Sequence, residues 1–250
     1  MNPPPIKYSS SYSILNVFSI KYYCKWAIKH IFILRWLQRK FNNLLESDYF
    51  CKHANVINNG YGSMKKKIRG NNNKIIIGNN TVLSKTMFHI IGNNNVIEIG
   101  KDCTIGKDCS FWMEGNNIKI SIGDKCSFTM LVHFNAQEDY SQIIVEDDAM
   151  FSNKIIVRTS DSHPIYDMTT GKRINNAKNI HIGQHVWIAP DTKIMKGAKI
   201  GSGCIIGSNT IINNEIPCNC LAVGMPAKVV KTNVEWTRED IIFKKKINNI

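Results

Sequence analysis

The chain is expected to be all-β, a solenoid of short parallel strands wound six residues at a time, and three observations carry that expectation. The first is a run of six adjoining hexads over residues 182–217, read as IGQHVW, IAPDTK, IMKGAK, IGSGCI, IGSNTI and INNEIP. An aliphatic residue opens each, and Val186, Thr192, Ala198, Cys204, Thr210 and Ile216 stand four places later. The second is the same pattern upstream, in IGKDCT from Ile99, IGKDCS from Ile105 and IGDKCS from Ile122. The third is a longer echo, GNNNKIIIG at Gly70, GNNNVIEIG at Gly92 and EGNNIKISIG at Glu114. A period of six is neither the 3.6 of a helix nor the 2 of an ordinary strand. It fits a flat strand, a turn, and an inward residue at every sixth place. Three such strands close a triangular coil of about 18 residues, and coils stack at about 4.8 Å. Gly and Asn tolerate positive φ at the corners, which accounts for the GNN clusters.

The elements follow in order. Residues 1–60 are expected to be a basic, aromatic N-terminal segment. Residues 1–70 hold 12 Lys and Arg against 2 Asp and Glu, so most of the net +13 sits there and says little about the body's chemistry. Over 19–46 the spacing predicts an amphipathic helix, with Lys21, Lys25, Lys29 and Arg39 on one face and Tyr23, Trp26, Ile33, Leu34, Leu37, Phe41 and Leu44 opposite. Two fates compete for it, packing on the protein or lying on an anionic membrane surface. The apolar stretch at 31–37 is broken by Arg35 and is far shorter than the ~20 residues a spanning helix needs. No signal-peptide cleavage pattern is legible, so the expected location is cytoplasmic, with peripheral contact at the inner membrane face as the variant.

Residues 61–231 are expected to form the β-helix, and 232–250 a short C-terminal element whose KKK run is a solvated face. Cys103, Cys109, Cys126 and Cys204 take the small inward position and act there as small hydrophobes. Nothing in the eight cysteines has the spacing of a zinc site or a disulfide framework. His181 and His185 are four apart beside a strand, where such a pair does not converge on a metal as it would on a helix, so no metal is expected.

Between 158 and 180 the hexads stop for RTSDSHPIYDMTTGKRINNAKNI, polar and turn-rich, and then resume. A solenoid gains nothing structurally from such a loop, which makes it the expected site of chemistry. His163 lies in it, in SDSHP.

With TSDSHPIYD, GKRIN, HVWIAPDTKIMKGAKIG and NNEIPCNCLAVGMPAKVVK quoted as they stand, residues 143–231 resemble the acetyl-CoA-dependent O-acetyltransferases of the hexapeptide-repeat family. That branch includes sugar, antibiotic, capsule, lipopolysaccharide and sialic-acid O-acetyltransferases. The resemblance implies a left-handed parallel β-helix, acetyl-CoA as cosubstrate, a carbohydrate hydroxyl as acceptor, and a homotrimer with active sites between subunits. It implies His163 as catalytic base and Trp187, 24 residues later, as a wall of the cleft. Backbone around Ala189, Pro190 and Ser208 is expected along the pantetheine arm. Asn213 and Asn214 stand where relatives often carry Thr-Lys near the cofactor. Lys228 and Lys231 suit the coenzyme's phosphates. His133 and Asn135, with Tyr166, are placed on the acceptor side.

The chemistry agrees with an imidazole base, whose ordinary pKa near 6.5 suits removing a sugar hydroxyl's proton during attack on a thioester. Direct transfer without an acyl-enzyme is expected, with an oxyanion donor among the backbone N–H groups near Ala189. Asp161 reads either as an orienter of the imidazole or as a turn-forming residue. Trp112 could stack a sugar ring. The competing functions are a basic module gripping membrane or nucleic acid, which no recognised nucleic-acid motif supports, and a zinc hydratase on the same fold.

Overall fold

The structure, a computed structural model, describes residues 54–239. The helix expected over 19–46 and the KKK run lie outside the described residues. Every element within them is a strand or a turn, and no helix there is long and apolar enough to cross a membrane.

The strands stack into three parallel ladders around one interior. The first face runs through Ala54–Asn58, Asn73–Ile77, Val96–Ile99, Lys119–Ile122, Gln142–Val145, Ile180–Ile182, Lys199–Ile200 and Glu215–Ile216. The second takes the start of Tyr61–Arg69 and of Val82–Ile91, then Thr104–Lys107, Ser127–Met130, Met150–Asn153, Trp187–Ile188, Ile205–Ile206 and Cys220–Val223. The third takes the ends of those two long strands, then Ser110–Glu114, His133–Gln137, Ile156–Arg158, Lys193–Ile194 and Ile211–Ile212. Lys228–Thr232 closes the second face antiparallel to Cys220–Val223.

The inward positions are those the hexads mark. Ile182, Ile188, Ile194, Ile200, Ile206 and Ile212 are buried, as are the six residues four places on. The four cysteines of the small position are buried with them. In the earlier coils the interior is wider and filled by Phe. Phe88, Phe111 and Phe134 form a column with centroids 5.3 and 5.1 Å apart, close to the rung spacing, so each ring packs on its counterpart one coil on.

The coil length departs from the expected 18. After the loop the repeat is 18, as His181 pairs with Lys199, and shortens to 16 in the last coil, as Lys199 pairs with Glu215. Before it, past a shorter first coil in which Ala54 pairs with Asn73, the repeat is 22 or 23, as Lys74 pairs with Val96 and Val96 with Lys119. The extra residues are the GNN turns, all at the corner between the third and first faces. Two boundaries also move: the first-face ladder begins at Ala54, ahead of the expected 61, and 232–239 folds back onto the coils instead of forming a separate tail.

These wide turns hold because side-chain amides satisfy the corner backbone. Asn93 Oδ1 accepts from Asn71 N, Asn116 Oδ1 from Asn93 N, and Asp139 Oδ1 from Asn116 N. Beneath them Asn95 is fully buried. It donates from Nδ2 to Gly115 O at 2.9 Å and accepts at Oδ1 from Ile118 N at 2.9 Å. Gly92, at φ +123°, has no room for a Cβ, which would lie 1.8 Å from Gly115 O. Asn95→Ala would orphan a buried N–H and a buried C=O, so urea unfolding should show a loss of about 3 kcal/mol.

Candidate active site

The hexad interruption leaves the same corner that carries the GNN turns, one coil further on. Arg158 ends a third-face strand and Ile180 opens a first-face strand. Between them the chain folds on itself as a hairpin. Ile174 N donates to Ile165 O and Asp167 N to Lys172 O, both at 2.9 Å, while Asp167 Oδ1 caps Thr169 N and Thr170 N.

Three fastenings tie this hairpin to the coils. Arg173 forms a bidentate pair with Glu138, at 2.8 and 2.7 Å, and Ser160 Oγ donates to the same carboxylate at 2.6 Å. Lys196 Nζ donates to Asp161 Oδ2 at 2.5 Å and to Asn175 O at 3.0 Å. Arg158 Nη2 donates to Ser162 Oγ, which donates to Gln137 Oε1. The guanidinium of Arg173 holds the Glu138 carboxyl below its ordinary range, and the Lys196 ammonium does the same for Asp161.

Asn175, only 7% exposed, joins these fastenings to His163. Its Nδ2 donates to the His163 carbonyl at 2.8 Å and to Asp161 Oδ2 at 3.0 Å, and its Oδ1 accepts from Ile165 N at 2.7 Å. The backbone of His163 is therefore held on both sides while its ring stands exposed. Of the two readings of Asp161, these contacts favour the one in which it fastens the loop. Its hydrogen-bonded oxygen is shared by Lys196 and Asn175, not by the imidazole.

His133 and Asn135 alternate on the third face at the root of the loop, Asn135 one rung from Arg158. The His133 ring is half-buried with Nδ1 at 2.5 Å from Ser110 Oγ, and burial, with the charge of Arg158, pushes its pKa down. Asn135 Oδ1 is buried without a partner among the described residues. Tyr166 is exposed on the hairpin, bridged to Arg173. One face of the Trp112 ring is taken by a stack on His89 at 3.8 Å.

Trp187 stands on another face. Register aligns its outward position with Ile205, Leu221 and Lys231, one per rung. At about 4.8 Å per rung this strip covers about 14 Å from indole to ammonium. Lys228 is exposed on the same terminal strand. Ala189-Pro190 and Ser208 occupy successive rungs of the corner between the second and third faces. Asn213 and Asn214 are exposed at the corner from which the 158–180 loop leaves, on the side of His163 and not of Trp187.

Two of the N–H groups near Ala189, where an oxyanion donor is expected, serve the coil stack. Ala189 N donates to Ile206 O and Asp191 N to Asn153 O, both within the coil stack, and Pro190 has no N–H. His181 Nε2 lies 2.9 Å from Glu146 Oε1. His185 has Asp148 Oδ2 at Nδ1 and Trp236 O at Nε2, so both its ring nitrogens are engaged. Among the described residues no group of three or more His, Cys, Asp or Glu side chains is arranged to hold a metal.

The bacterial transferase hexapeptide family (six repeats) matches residues 179–214. The chain is 35% identical over 191 residues to a polysialic acid O-acetyltransferase of Neisseria meningitidis, an alignment covering 68% of this chain and 88% of that protein. The chain belongs to the hexapeptide-repeat acetyltransferases. With the family comes the left hand of the β-helix. A polysialic acid O-acetyltransferase of Escherichia coli O1:K1 is 42% identical over 122 residues, covering 49% of this chain and 39% of that protein. The crystal structure of a polySia-specific acetyltransferase superposes with a TM-score of 0.63 at 31% identity, covering 76% of this chain and 84% of the other.

Nothing in the sequence pattern marks Glu138, Asn175 or Lys196. Lys196 is an ordinary hexad residue, and Glu138 lies 35 residues from the arginine it binds. Arg173→Ala should free the hairpin. Hydrogen exchange at Ile174 and Asp167 should speed by at least about tenfold, with core amides such as Trp187 unchanged. Both carboxylates titrate lower in the folded chain, so their fastening holds above the ordinary carboxylate range and is lost as pH falls through their depressed values. The same amides should therefore lose protection on acidification before the core does.

Proposed function

We propose that the protein transfers the acetyl group of acetyl-CoA to a hydroxyl of a sialic-acid-containing glycan of a bacterial capsule or surface polysaccharide. The observation that carries this reading is the likeness to the Neisseria polysialic acid O-acetyltransferase over 88% of that protein's length. The family relationship supports acetyl-CoA as the donor. The residues present fit it: an indole, an apolar strip of Ile205 and Leu221, and Lys231 lie on one line, as a thioester, a pantetheine arm and phosphates require.

His163 is the general base. Its imidazole takes the proton of the acceptor hydroxyl as that oxygen attacks the acetyl carbonyl carbon. The C–O bond forms, the C–S bond breaks, and the proton passes to the departing coenzyme thiolate. Trp187 lines the cleft around the acetyl group. Asp161 supports the base indirectly, by holding its loop. His133, Asn135 and Tyr166 face the acceptor, and Asn213 and Asn214 approach the coenzyme from the loop side.

The working unit in this reading is a homotrimer. His163 stands on a loop at one corner of the prism and Trp187 on the face across from it, so a cleft using both is completed by a neighbouring copy. Cyclic symmetry closes such a head-to-tail contact.

His163→Ala should lower acetyl transfer to polysialic acid by about 10²–10⁴-fold while coenzyme A binding, followed by calorimetry, changes little. Wild-type turnover in this variant removes the proposed base. Mixed trimers of His163→Ala and Trp187→Ala chains should exceed the activity of either parent. If no mixing ratio does, the shared cleft is wrong.

A further inference from the structure

After the last coil the chain returns past Trp187. After the strand Lys228–Thr232 it runs back along the corner between the first and second faces. Val234 N donates to Asn219 O at 3.0 Å, Trp236 Nε1 to His185 O at 2.9 Å, and Arg238 Nε to Asp148 Oδ1 at 2.7 Å. Arg238 also donates to Ser127 Oγ and to the Asp148 and Ala149 carbonyls. The corner backbone steps from Asn219 to Ser202, Gln184, Asp147 and Asp124, so this short strap spans five rungs.

Its middle is an aromatic stack. Trp236 is 6% exposed, with its ring 4.1 Å from the His185 ring and nearly parallel to it. The Arg238 guanidinium carbon lies 5.8 Å from the indole centroid. His185 is fixed in turn by Asp148, whose carboxyl is held below its ordinary range: burial raises it, and hydrogen bonds from His185 and Arg238 more than offset this. The Trp187 ring lies 6.1 Å from Trp236, tilted by 48°.

Among the described residues Trp236 is the one aromatic ring recorded against Trp187. The strand Trp187–Ile188 is two residues long, and its partners at that position are Met150 and Ile205. Met adapts its shape to whatever lies against it. Trp236 is rigid, buried and hydrogen-bonded to the residue two before Trp187.

We propose that Trp236 is a positioning residue for acetyl transfer, setting the orientation of Trp187 against the thioester, with Arg238 and Asp148 clamping the strap that carries it. This rests on the reading of Trp187 as a cleft wall. A catalytic constellation needs such support, because small misplacements of a wall cost rate at a reacting centre.

The test is a double-mutant cycle in the full chain, with steady-state kinetics on acetyl-CoA and purified polysialic acid. Trp236→Ala is expected to lower kcat/KM for acetyl-CoA about tenfold, and less than about twofold when Trp187 is already Ala. Trp236→Phe should stay within about threefold of wild type, because a ring still packs there. A merely structural role gives additive losses in the cycle, and additivity or an unimpaired Trp236→Ala overturns the proposal. Should Trp236→Ala fail to fold, Arg238→Ala, which loosens the strap from outside, goes through the same cycle with the same criteria. Wild-type kinetics in Trp187→Ala alone would instead overturn the cleft-wall reading itself.

Discussion

The rest of the structure depends on one constraint: each strand is hydrogen-bonded in parallel register to its counterpart a coil away, at one fixed spacing. Register turns sequence positions into columns, so a residue type repeated per coil becomes a continuous stack. The Phe88–Phe111–Phe134 column, the isoleucine stacks and the asparagine corner ladder are three products of this rule. A two-residue strand such as Lys193–Ile194 could not persist alone. It persists because both neighbouring rungs hold it in place.

Corners are where this economy is most at risk, since turning the chain every six residues leaves backbone groups facing inward or into a neighbouring turn. The wide coils meet the risk with side-chain amides, and the narrow coils after the loop with small residues and tight turns. The 158–180 loop grows from the wide-turn corner, where coils already carry four or five extra residues and a capping side chain. Asn179 Oδ1 accepts from Gln142 N at the point where the loop returns, a side-chain cap of the same kind as those of Asn93, Asn116 and Asp139 but three places further along the turn. The loop is an enlarged corner turn rather than a foreign insertion.

Much of this was legible in the hexads, because an inward residue every sixth place has few other physical meanings. The loop was legible as their interruption, and His163 as the titratable ring within it. The longer early coils were visible only as a GNN echo, since periodicity reports which residues face inward and not how wide a corner is. The fastenings were not legible at all. Arg173 and Glu138, or Lys196 and Asp161, meet because register brings distant residues to one corner, and no local pattern encodes that meeting. Trp236 was hidden for a related reason: in EWTRED it reads as tail, and only the fold shows it returning to His185.

Both halves of the proposed site are tied down by charge pairs, and the Trp187 side adds ring packing. The loop side is held by charge, through Arg173–Glu138 and Lys196–Asp161, pairs about one-third exposed or less that water can still reach. Such contacts order the backbone around His163. The wall side is held by ring packing around Trp236 and by part-buried hydrogen bonds, together with the Arg238–Asp148 pair. An acetyl group must meet a fixed surface if its carbonyl is to be presented in one orientation, whereas an acceptor drawn from a polymer arrives in many. On the proposed reading, the ring packing beside Trp187 suits the first of these tasks and the water-accessible pairs beside His163 the second.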